Sequence, residues 1–164
     1  MEFLADTLHS EVGLGTMLGR LSAAALLGLV IGLDREYRSQ SAGMRTHMLV
    51  SLAAATFAVL TFELIARAGH DGPIQADPVR LIEAVTAGVA FLAAGTIIQG
   101  RGRVQGLTTG AGMWLAGAIG LACGIGAYGI ALTVTLLGVV ILALLGFVSP
   151  MLPRKPGGER AGSN

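Results

Sequence analysis

The chain has 164 residues, of which 53% are hydrophobic and only 13% are charged, and its formal net charge is +1. A soluble globular domain carries about 25% charged residues, so this chain has too few charges to cover a water-facing surface. This shortage of charge excludes an ordinary soluble enzyme. The small net charge excludes a nucleic-acid partner, and the single cysteine excludes a disulfide scaffold. The composition predicts an integral membrane protein whose partner is the lipid bilayer.

The first feature along the chain is an acidic N-terminal segment, residues 1–13, which has three carboxylates and no Lys or Arg. A cleavable signal peptide would begin with positive charge, so we expect this segment to remain outside the membrane ahead of an uncleaved span. Three apolar tracts follow, at Leu14–Leu33, His47–Ala66 and Leu81–Gln99. Each is close to the roughly 20 residues that a transmembrane helix needs.

The second half of the chain is almost free of charge. Residues 104–153 contain no Asp, Glu, Lys, Arg or His, and this tract is long enough for two further spans folded back at the glycine-rich Cys123–Gly129. These tracts predict an all-α polytopic membrane protein, a bundle of about five transmembrane helices with short loops over residues 14–149. The tail, residues 150–164, is rich in Pro, Gly and charge and is expected to be disordered in the cytoplasm.

Basic residues are distributed unevenly between the two sides of this bundle. Cytoplasmic loops are enriched in Lys and Arg. One side of the predicted topology carries eight basic residues: Arg35, Arg38, Arg45, Arg101, Arg103, Arg154, Lys155 and Arg160. The bias predicts an N-terminus outside and a C-terminus in the cytoplasm.

Three ionisable residues lie inside the apolar tracts, all towards the predicted outer leaflet: Arg20, Glu63 and Glu83. Ionisable groups within a span are candidate functional residues. Arg20 could pair with either carboxylate in an outward-facing cation or proton entry site. The alternative is that each side chain snorkels to the interface or forms a structural ion pair.

The densest polar feature is the connector between the first two tracts. Its charged members are Asp34, Arg35, Glu36, Arg38, Arg45 and His47. Acid and base alternate, so the charges can neutralise one another locally, either as a clamp on the helix ends or as a site on the inner face. The arginines are also suited to anionic lipid headgroups, and His47 alone gives no metal-ligand spacing.

Small residues recur at intervals suited to close helix contact. Those predicted to lie in packing faces are Gly28, Gly32, Gly88, Gly112, Gly120 and Gly124. Such positions let helix backbones approach closely. They are equally suited to a tight bundle and to a homodimer.

Several of these segments together resemble the bacterial MgtC/SapB family of inner-membrane proteins. The matching motifs run from Gly32 to Arg38, from Ala42 to His47 and from Asp77 to Arg80, then from Gly88 to Gly95 and from Gly106 to Thr109 with Trp114. The resemblance covers about Arg20 to Gly146. Many relatives have a glutamine and a serine in the third span where this chain has alanines, and longer relatives carry an additional soluble C-terminal domain.

The resemblance implies five spans in a bacterial inner membrane and a role in growth at low magnesium, with survival in macrophages for pathogens. Members are often labelled magnesium transporters. The best-studied members resemble regulators that bind other membrane proteins, including the proton-translocating ATP synthase.

Two functions follow as hypotheses: a regulator that contacts other membrane proteins, and an oligomeric transporter or channel for magnesium or another cation. Magnesium prefers oxygen ligands and is usually held by carboxylates, but the carboxylates of this chain fall only near the two predicted faces. Magnesium is therefore considered only as a possible ligand. An intramembrane enzyme lacks a plausible set of residues, and no cofactor is predicted.

Overall fold

The computed structural model describes residues 11–68, 77–100 and 103–148, and in them the chain forms five α-helices and a short β-hairpin. The helices are α1 (Leu14–Tyr37), α2 (Met44–Ala68), α3 (Pro78–Gly95), α4 (Leu107–Gly124) and α5 (Tyr128–Val148). The predicted all-α bundle is confirmed. Most of the predicted N-terminal segment and the whole predicted tail lie outside the described residues.

Three of the helices in the described part of the chain are long and apolar enough to cross a membrane, namely α1, α2 over Met44–Arg67, and α4. In α5 the stretch Tyr128–Leu144 is a shorter apolar helix. Large apolar side chains such as Leu26, Leu49 and Leu136 are exposed on the surfaces of these helices, as expected where a helix faces lipid. The fold therefore supports a membrane location, and the orientation of the termini stays a prediction.

The centre of the bundle is formed by α1, α2 and α4, although α4 follows α2 only after a further helix. α1 and α2 pack as an antiparallel hairpin, and α4 lies against both. One buried cluster of apolar side chains joins these helices to α5: Ala24, Ile31, Ala55, Ile119, Ala122, Cys123 and Ala131. The two long helices of the hairpin are therefore held mainly by the fourth helix rather than by the third.

α3 lies at the edge of the bundle and is shorter than predicted at its C-terminal end. Asp77 caps its N-terminus, since the carboxylate accepts a hydrogen bond of 2.9 Å from the backbone N–H of Val79, and Pro78 occupies the first turn. The prediction that the span continues to Gln99 is wrong. The Thr96 hydroxyl donates to the Ala93 carbonyl at 2.7 Å, and the chain leaves the helix there.

The connector from α3 to α4 is an antiparallel hairpin of β1 (Ile98–Gly100) and β2 (Arg103–Gln105), which the sequence analysis did not predict. It leads into Gly106, whose φ of 86° lies in the left-handed region. A Cβ at this position would overlap the Thr96 carbonyl oxygen, so glycine is needed both for the conformation and for the space. The predicted fold-back between α4 and α5 is confirmed, with Gly126 in the turn at a φ of 84°.

Candidate functional site

The charged connector between α1 and α2 folds into a local cluster, called here the α1–α2 cluster: Asp34, Arg35, Glu36, Arg38, Arg45 and His47. Asp34 is its centre. Its carboxylate pairs with Arg35 Nη2 at 2.6 Å through Oδ2 and with Arg38 Nε at 3.0 Å through Oδ1. Because Arg35 is only 4% exposed, Asp34 is the counter-charge that lets a guanidinium remain buried here.

Glu36 closes the turn between the two helices. Its carboxylate oxygen Oε2 accepts a hydrogen bond of 3.1 Å from the backbone N–H of Met44, the first residue of α2. A negative charge at a helix N-terminus also interacts favourably with the helix dipole. Gly43 precedes it, and a Cβ there would overlap the Glu36 carboxylate. The clamp predicted for this connector is therefore present in the geometry.

His47 is the buried polar residue of the α1–α2 cluster. Its side chain is fully buried, and Nδ1 lies 2.9 Å from the Gly43 carbonyl oxygen. Because a carbonyl oxygen only accepts hydrogen bonds, Nδ1 must carry the proton that is donated. Nε2 is then an acceptor in a neutral imidazole, and among the described residues it is a buried side-chain atom without a hydrogen-bond partner. An unmet buried acceptor costs about 1–3 kcal/mol.

Gly112 of α4 is the residue that Nε2 faces. A Cβ added to Gly112 would lie 2.9 Å from His47 Nε2 and 3.9 Å from Arg35 Cδ. Both side chains therefore border one glycine, which brings three helices together at this end of the bundle. The sequence motif predicted His47 and Gly112 separately, but no spacing rule links them.

Ser51 is a buried residue that no motif of the sequence assigns to a site. It lies one turn after His47, is fully buried, and its hydroxyl donates to the Ala24 carbonyl at 2.7 Å. This bond joins α2 to α1. A hydroxyl within an apolar tract is a signal for an interhelical hydrogen bond, so the sequence contained a hint of this role.

Arg45 is exposed, as Glu36 is, but the described contacts that join the turn involve Glu36 and not the Arg45 side chain. The ion pairs found between described residues near it involve Asp34, Arg35 and Arg38 instead. Arg101 lies outside the described residues, as does the side chain of Arg103, so their predicted part in the same network stays a prediction.

At the opposite end of the bundle, Arg20 binds a helix end rather than a carboxylate. Nη1 donates to the Gly124 carbonyl at 3.0 Å, and the guanidinium lies 5.9 Å from the centre of the Phe62 ring. A cation at a helix C-terminus is favourable because the final carbonyls are unsatisfied. Arg20 therefore fastens the end of α4 to α1 and α2.

The predicted pairing of Arg20 with Glu63 or Glu83 is wrong for this structure. Glu63 pairs with Arg67 one turn later, at 2.9 Å, and accepts backbone hydrogen bonds from Glu11 and Val12. Glu83 is exposed on α3, the peripheral helix. Arg20 binds a backbone carbonyl, and Glu63 binds Arg67 on its own helix and two backbone N–H groups. The order of charges along the sequence does not identify these partners.

Five of the six predicted packing glycines are in close contact with a neighbouring helix or turn. A Cβ would meet the backbone or Cβ atoms of another helix at Gly28, Gly32, Gly120 and Gly124, and the His47 ring at Gly112. The prediction for Gly88 is wrong within this chain, since a Cβ there would meet nothing within 4 Å. Gly88 instead opens onto a groove between α2 and α3.

No cluster of three or more His, Cys, Asp or Glu side chains able to hold a metal ion occurs in the described ranges 11–68, 77–100 and 103–148. The carboxylates that are described are committed to arginines or to backbone N–H groups, apart from exposed ones such as Glu83. The cluster joins the ends of α1 and α2 through Glu36, and Arg45 lies at its surface.

Comparison with known proteins gives a consistent picture. Residues 21–151 match a family model described as the MgtC family. The chain is 36% identical over 125 residues to Protein MgtC of Brucella abortus, covering 76% of this chain and 49% of that protein. It is 37% identical over 112 residues to the "Putative magnesium transporter YhiD" of Escherichia coli K12, covering 66% and 51%.

Protein SrpB of Synechococcus elongatus is similar over a larger share of its own length, with 38% identity over 138 residues that cover 78% of this chain and 72% of that protein. By contrast, the chain spans only about half the length of the Brucella and Escherichia relatives. No solved structure matches this chain.

Proposed function

The chain belongs to the MgtC family, and on that premise we propose that it is a membrane protein of magnesium homeostasis that regulates other membrane proteins by direct contact. The name of the Escherichia relative, "Putative magnesium transporter YhiD", supports the link to magnesium. The preference for contact over conduction rests on the interior of the bundle.

The observation that carries this preference is how closely α1, α2 and α4 approach one another. Ile31, Ala55 and Ile119 are fully buried between them. Two glycines of α4, Gly120 and Gly124, lie against the backbone of α2 so closely that a Cβ would overlap it. A hydrated cation would need a polar path, whereas the centre of this protomer holds apolar side chains, touching backbones and the Ser51 hydroxyl, which already donates to the Ala24 carbonyl.

The surface of the bundle supports the contact hypothesis. The ion pairs of Asp34 hold the end of α1 together, and Glu36 joins that end to Met44, the residue before Arg45. An exposed arginine beside this joined turn is suited to an acidic group on a partner protein, because guanidinium binds carboxylates in a planar, two-pronged geometry. We propose Arg45 as the residue through which the cluster contacts its partner.

A flux experiment tests conduction directly. The purified protein is reconstituted into liposomes that contain a trapped magnesium-sensitive dye, and uptake is compared with empty liposomes over a range of voltages and pH. The regulator proposal expects no uptake above the empty liposomes while circular dichroism shows folded protein. Magnesium uptake that is reduced by Glu83→Gln, which removes an exposed carboxylate, would refute the regulator proposal in favour of conduction.

A growth experiment tests the contact residue. Arg45→Ala is expected to abolish the ability to restore growth at low magnesium to a strain that lacks this protein, with an unchanged amount of protein in the membrane. Arg45→Lys is the matched control, since it keeps the charge but loses the planar geometry, and it should restore growth partly. Normal growth with Arg45→Ala would remove Arg45 from the mechanism.

The second candidate function is an oligomeric cation transporter. It is favoured by the name of the Escherichia relative and by Gly15 and Gly19 of α1, at which an added Cβ would meet nothing within 4 Å. These glycines leave one face of α1 open to close approach by a second copy. The liposome experiment distinguishes this function from regulation, because an oligomer that conducts would give uptake.

A further inference from the structure

His47 is a titratable residue enclosed between three helices. Its ring is fully buried, Nδ1 donates to the Gly43 carbonyl at 2.9 Å, and Nε2 has no hydrogen-bond partner among the described residues. Nε2 lies close to Gly112 of α4, since a Cβ added to that glycine would be only 2.9 Å away. A neutral imidazole fits this position, because its Nε2 carries a lone pair and no hydrogen.

A protonated ring does not fit the same position. The proton would turn Nε2 into a donor, for which the described residues provide no acceptor. It would also place a positive charge beside Arg35, whose Cδ lies 3.9 Å from the same Cβ position on Gly112. The carboxylate that balances Arg35 is Asp34, and it is already paired. A buried charge without its own counter-charge is strongly unfavourable.

The charged groups on the surrounding elements do not supply this counter-charge. α4 contains no Asp, Glu, Lys, Arg or His. On α1, the carboxylate of Asp34 is bound by two arginines and that of Glu36 by the N–H of Met44. Arg45, the charged neighbour of His47 on α2, is exposed and positive. Two arginines of the connector between α3 and α4 have side chains outside the described residues: Arg101 and Arg103.

α4 is the element that can move away from the ring. α2 cannot, because it is in backbone contact with α1: a Cβ at Gly28 would lie 2.7 Å from the His47 carbonyl oxygen. α4 is fastened to α1 at its other end, where Arg20 donates to the Gly124 carbonyl. An outward movement of the Gly112 end of α4 therefore leaves both of these contacts in place.

We propose that His47 is a proton-sensitive switch between α4 and the hairpin of α1 and α2. At neutral pH the ring is uncharged and α4 covers it. In acid, Nε2 takes up a proton from the solvent, and the charged ring is stable only where the end of α4 has moved away and water reaches Nε2. The proton returns to the solvent when α4 closes. The switch operates whether or not the chain regulates a partner.

The size of the response follows from the titration of histidine. A histidine exposed to water takes up its proton at about pH 6.5. Only the open form takes it up, so the closed form is fully favoured above that pH and loses its advantage as the pH falls below it. The ratio of open to closed protein should be about 30-fold higher at pH 5 than at pH 8.

Thiol modification measures the opening. The full chain with Cys123→Ala and Thr109→Cys is reconstituted in lipid nanodiscs, and its reaction with a water-soluble maleimide is followed between pH 8 and pH 5. Thr109 lies one turn before Gly112 on α4 and is 1% exposed, so a cysteine there reacts only in open protein. Each rate is divided by that of Leu107→Cys, an exposed position on the same helix, because the thiol itself reacts more slowly in acid. The corrected rate should rise about 30-fold.

Two variants assign this rise to His47. His47→Asn keeps a donor for the Gly43 carbonyl but has no nitrogen that titrates between pH 5 and pH 8, so its corrected rate should not change with pH. His9→Asn combined with His70→Asn leaves His47 as the one remaining histidine of three and should keep the whole rise. Nitrogen NMR of this second protein should show a neutral ring with its proton on Nδ1 at pH 8.

Either of two kinetic results would overturn the proposal. One is a corrected rate at Thr109→Cys that stays constant from pH 8 to pH 5. The other is an equal rise in His47→Asn, which would mean that acid acts through a different group. The NMR measurement needs no change at His47 itself, and a charged ring at pH 8, or a neutral ring with its proton on Nε2, would also contradict the switch.

Discussion

Replacement of Gly28 by alanine should force α1 away from α2. A Cβ at this position would lie 2.7 Å from the His47 carbonyl oxygen and 2.9 Å from the Cβ of Ser51. Carbon atoms in contact are ordinarily about 3.5–4.0 Å from their neighbours. The added methyl is therefore about 1 Å too close to two atoms that no side-chain rotation can move.

The size of the effect follows from these contacts. Overfilling a packed interface costs about 1–3 kcal/mol, and moving α1 also lengthens the 2.7 Å bond from Ser51 to Ala24, a bond worth about 0.5–1.5 kcal/mol. Alanine recovers up to about 1 kcal/mol through its better helix propensity. We expect Gly28→Ala to lower the free energy of unfolding by about 2 kcal/mol.

Unfolding by sodium dodecyl sulfate in mixed micelles measures this change, with fluorescence of Trp114, the single tryptophan of the chain, as the probe. Gly19→Ala is the matched control on the same helix, since a Cβ there would meet nothing within 4 Å. Its free energy of unfolding should stay within about 0.5 kcal/mol of wild type or rise slightly. Equal transition midpoints for the two variants would refute the packing argument.

Three further predictions concern the other helix contacts, two of them tested by the same unfolding measurement and one by hydrogen exchange. Asp34→Asn should lower the free energy of unfolding by about 3 kcal/mol, because it removes the counter-charge of a buried arginine. Arg38→Ala removes a partly exposed partner of Asp34 and should lower it by less than about 1 kcal/mol. Equal losses of stability in the two variants would contradict this account. Arg20→Gln removes a helix-end contact and should speed hydrogen exchange at the turn after α4, and unchanged exchange there would contradict that role. Gly112→Ala should destabilise the wild-type protein, because the added Cβ would lie 2.9 Å from His47 Nε2. In the His47→Ala background, where that ring is absent, the same change should leave the free energy of unfolding almost unaltered. Additive effects of the two changes would show that the residues do not interact.

The five-helix architecture was predictable because each helix has a long apolar tract with a proline or glycine at its boundary. Charged residues separate the first four tracts, and glycines alone mark the turn between α4 and α5. The hairpin of β1 and β2 was not predictable, because each strand has only three residues. Three residues are too few to show a strand pattern next to a long apolar tract. The end of α3 was missed for the same reason. Ile97 and Ile98 continue the apolar character although the backbone has already turned at Thr96.

The candidate site was predictable only in part. Asp34 and Arg38 are four residues apart, a spacing that brings side chains together on a helix. The expected local neutralisation of charges in this connector rests on the same proximity along the chain. Arg20 binds the carbonyl of Gly124, and the His47 ring faces Gly112, residues that lie 104 and 65 positions further along the chain. They are a backbone carbonyl and a bare Cα, which carry no sequence signal that a pattern could detect.

The close contact of α4 with the hairpin of α1 and α2 has a consequence for biosynthesis. The first three helices are made before α4, so for that interval the His47 ring and the guanidinium of Arg35 lack the helix that covers them in the finished protein. α3 must insert yet leave that face of the hairpin vacant. The nascent chain therefore leaves the His47 ring without its cover until the fourth helix arrives, and any factor that shields this end of the hairpin during insertion has a defined place and time to act.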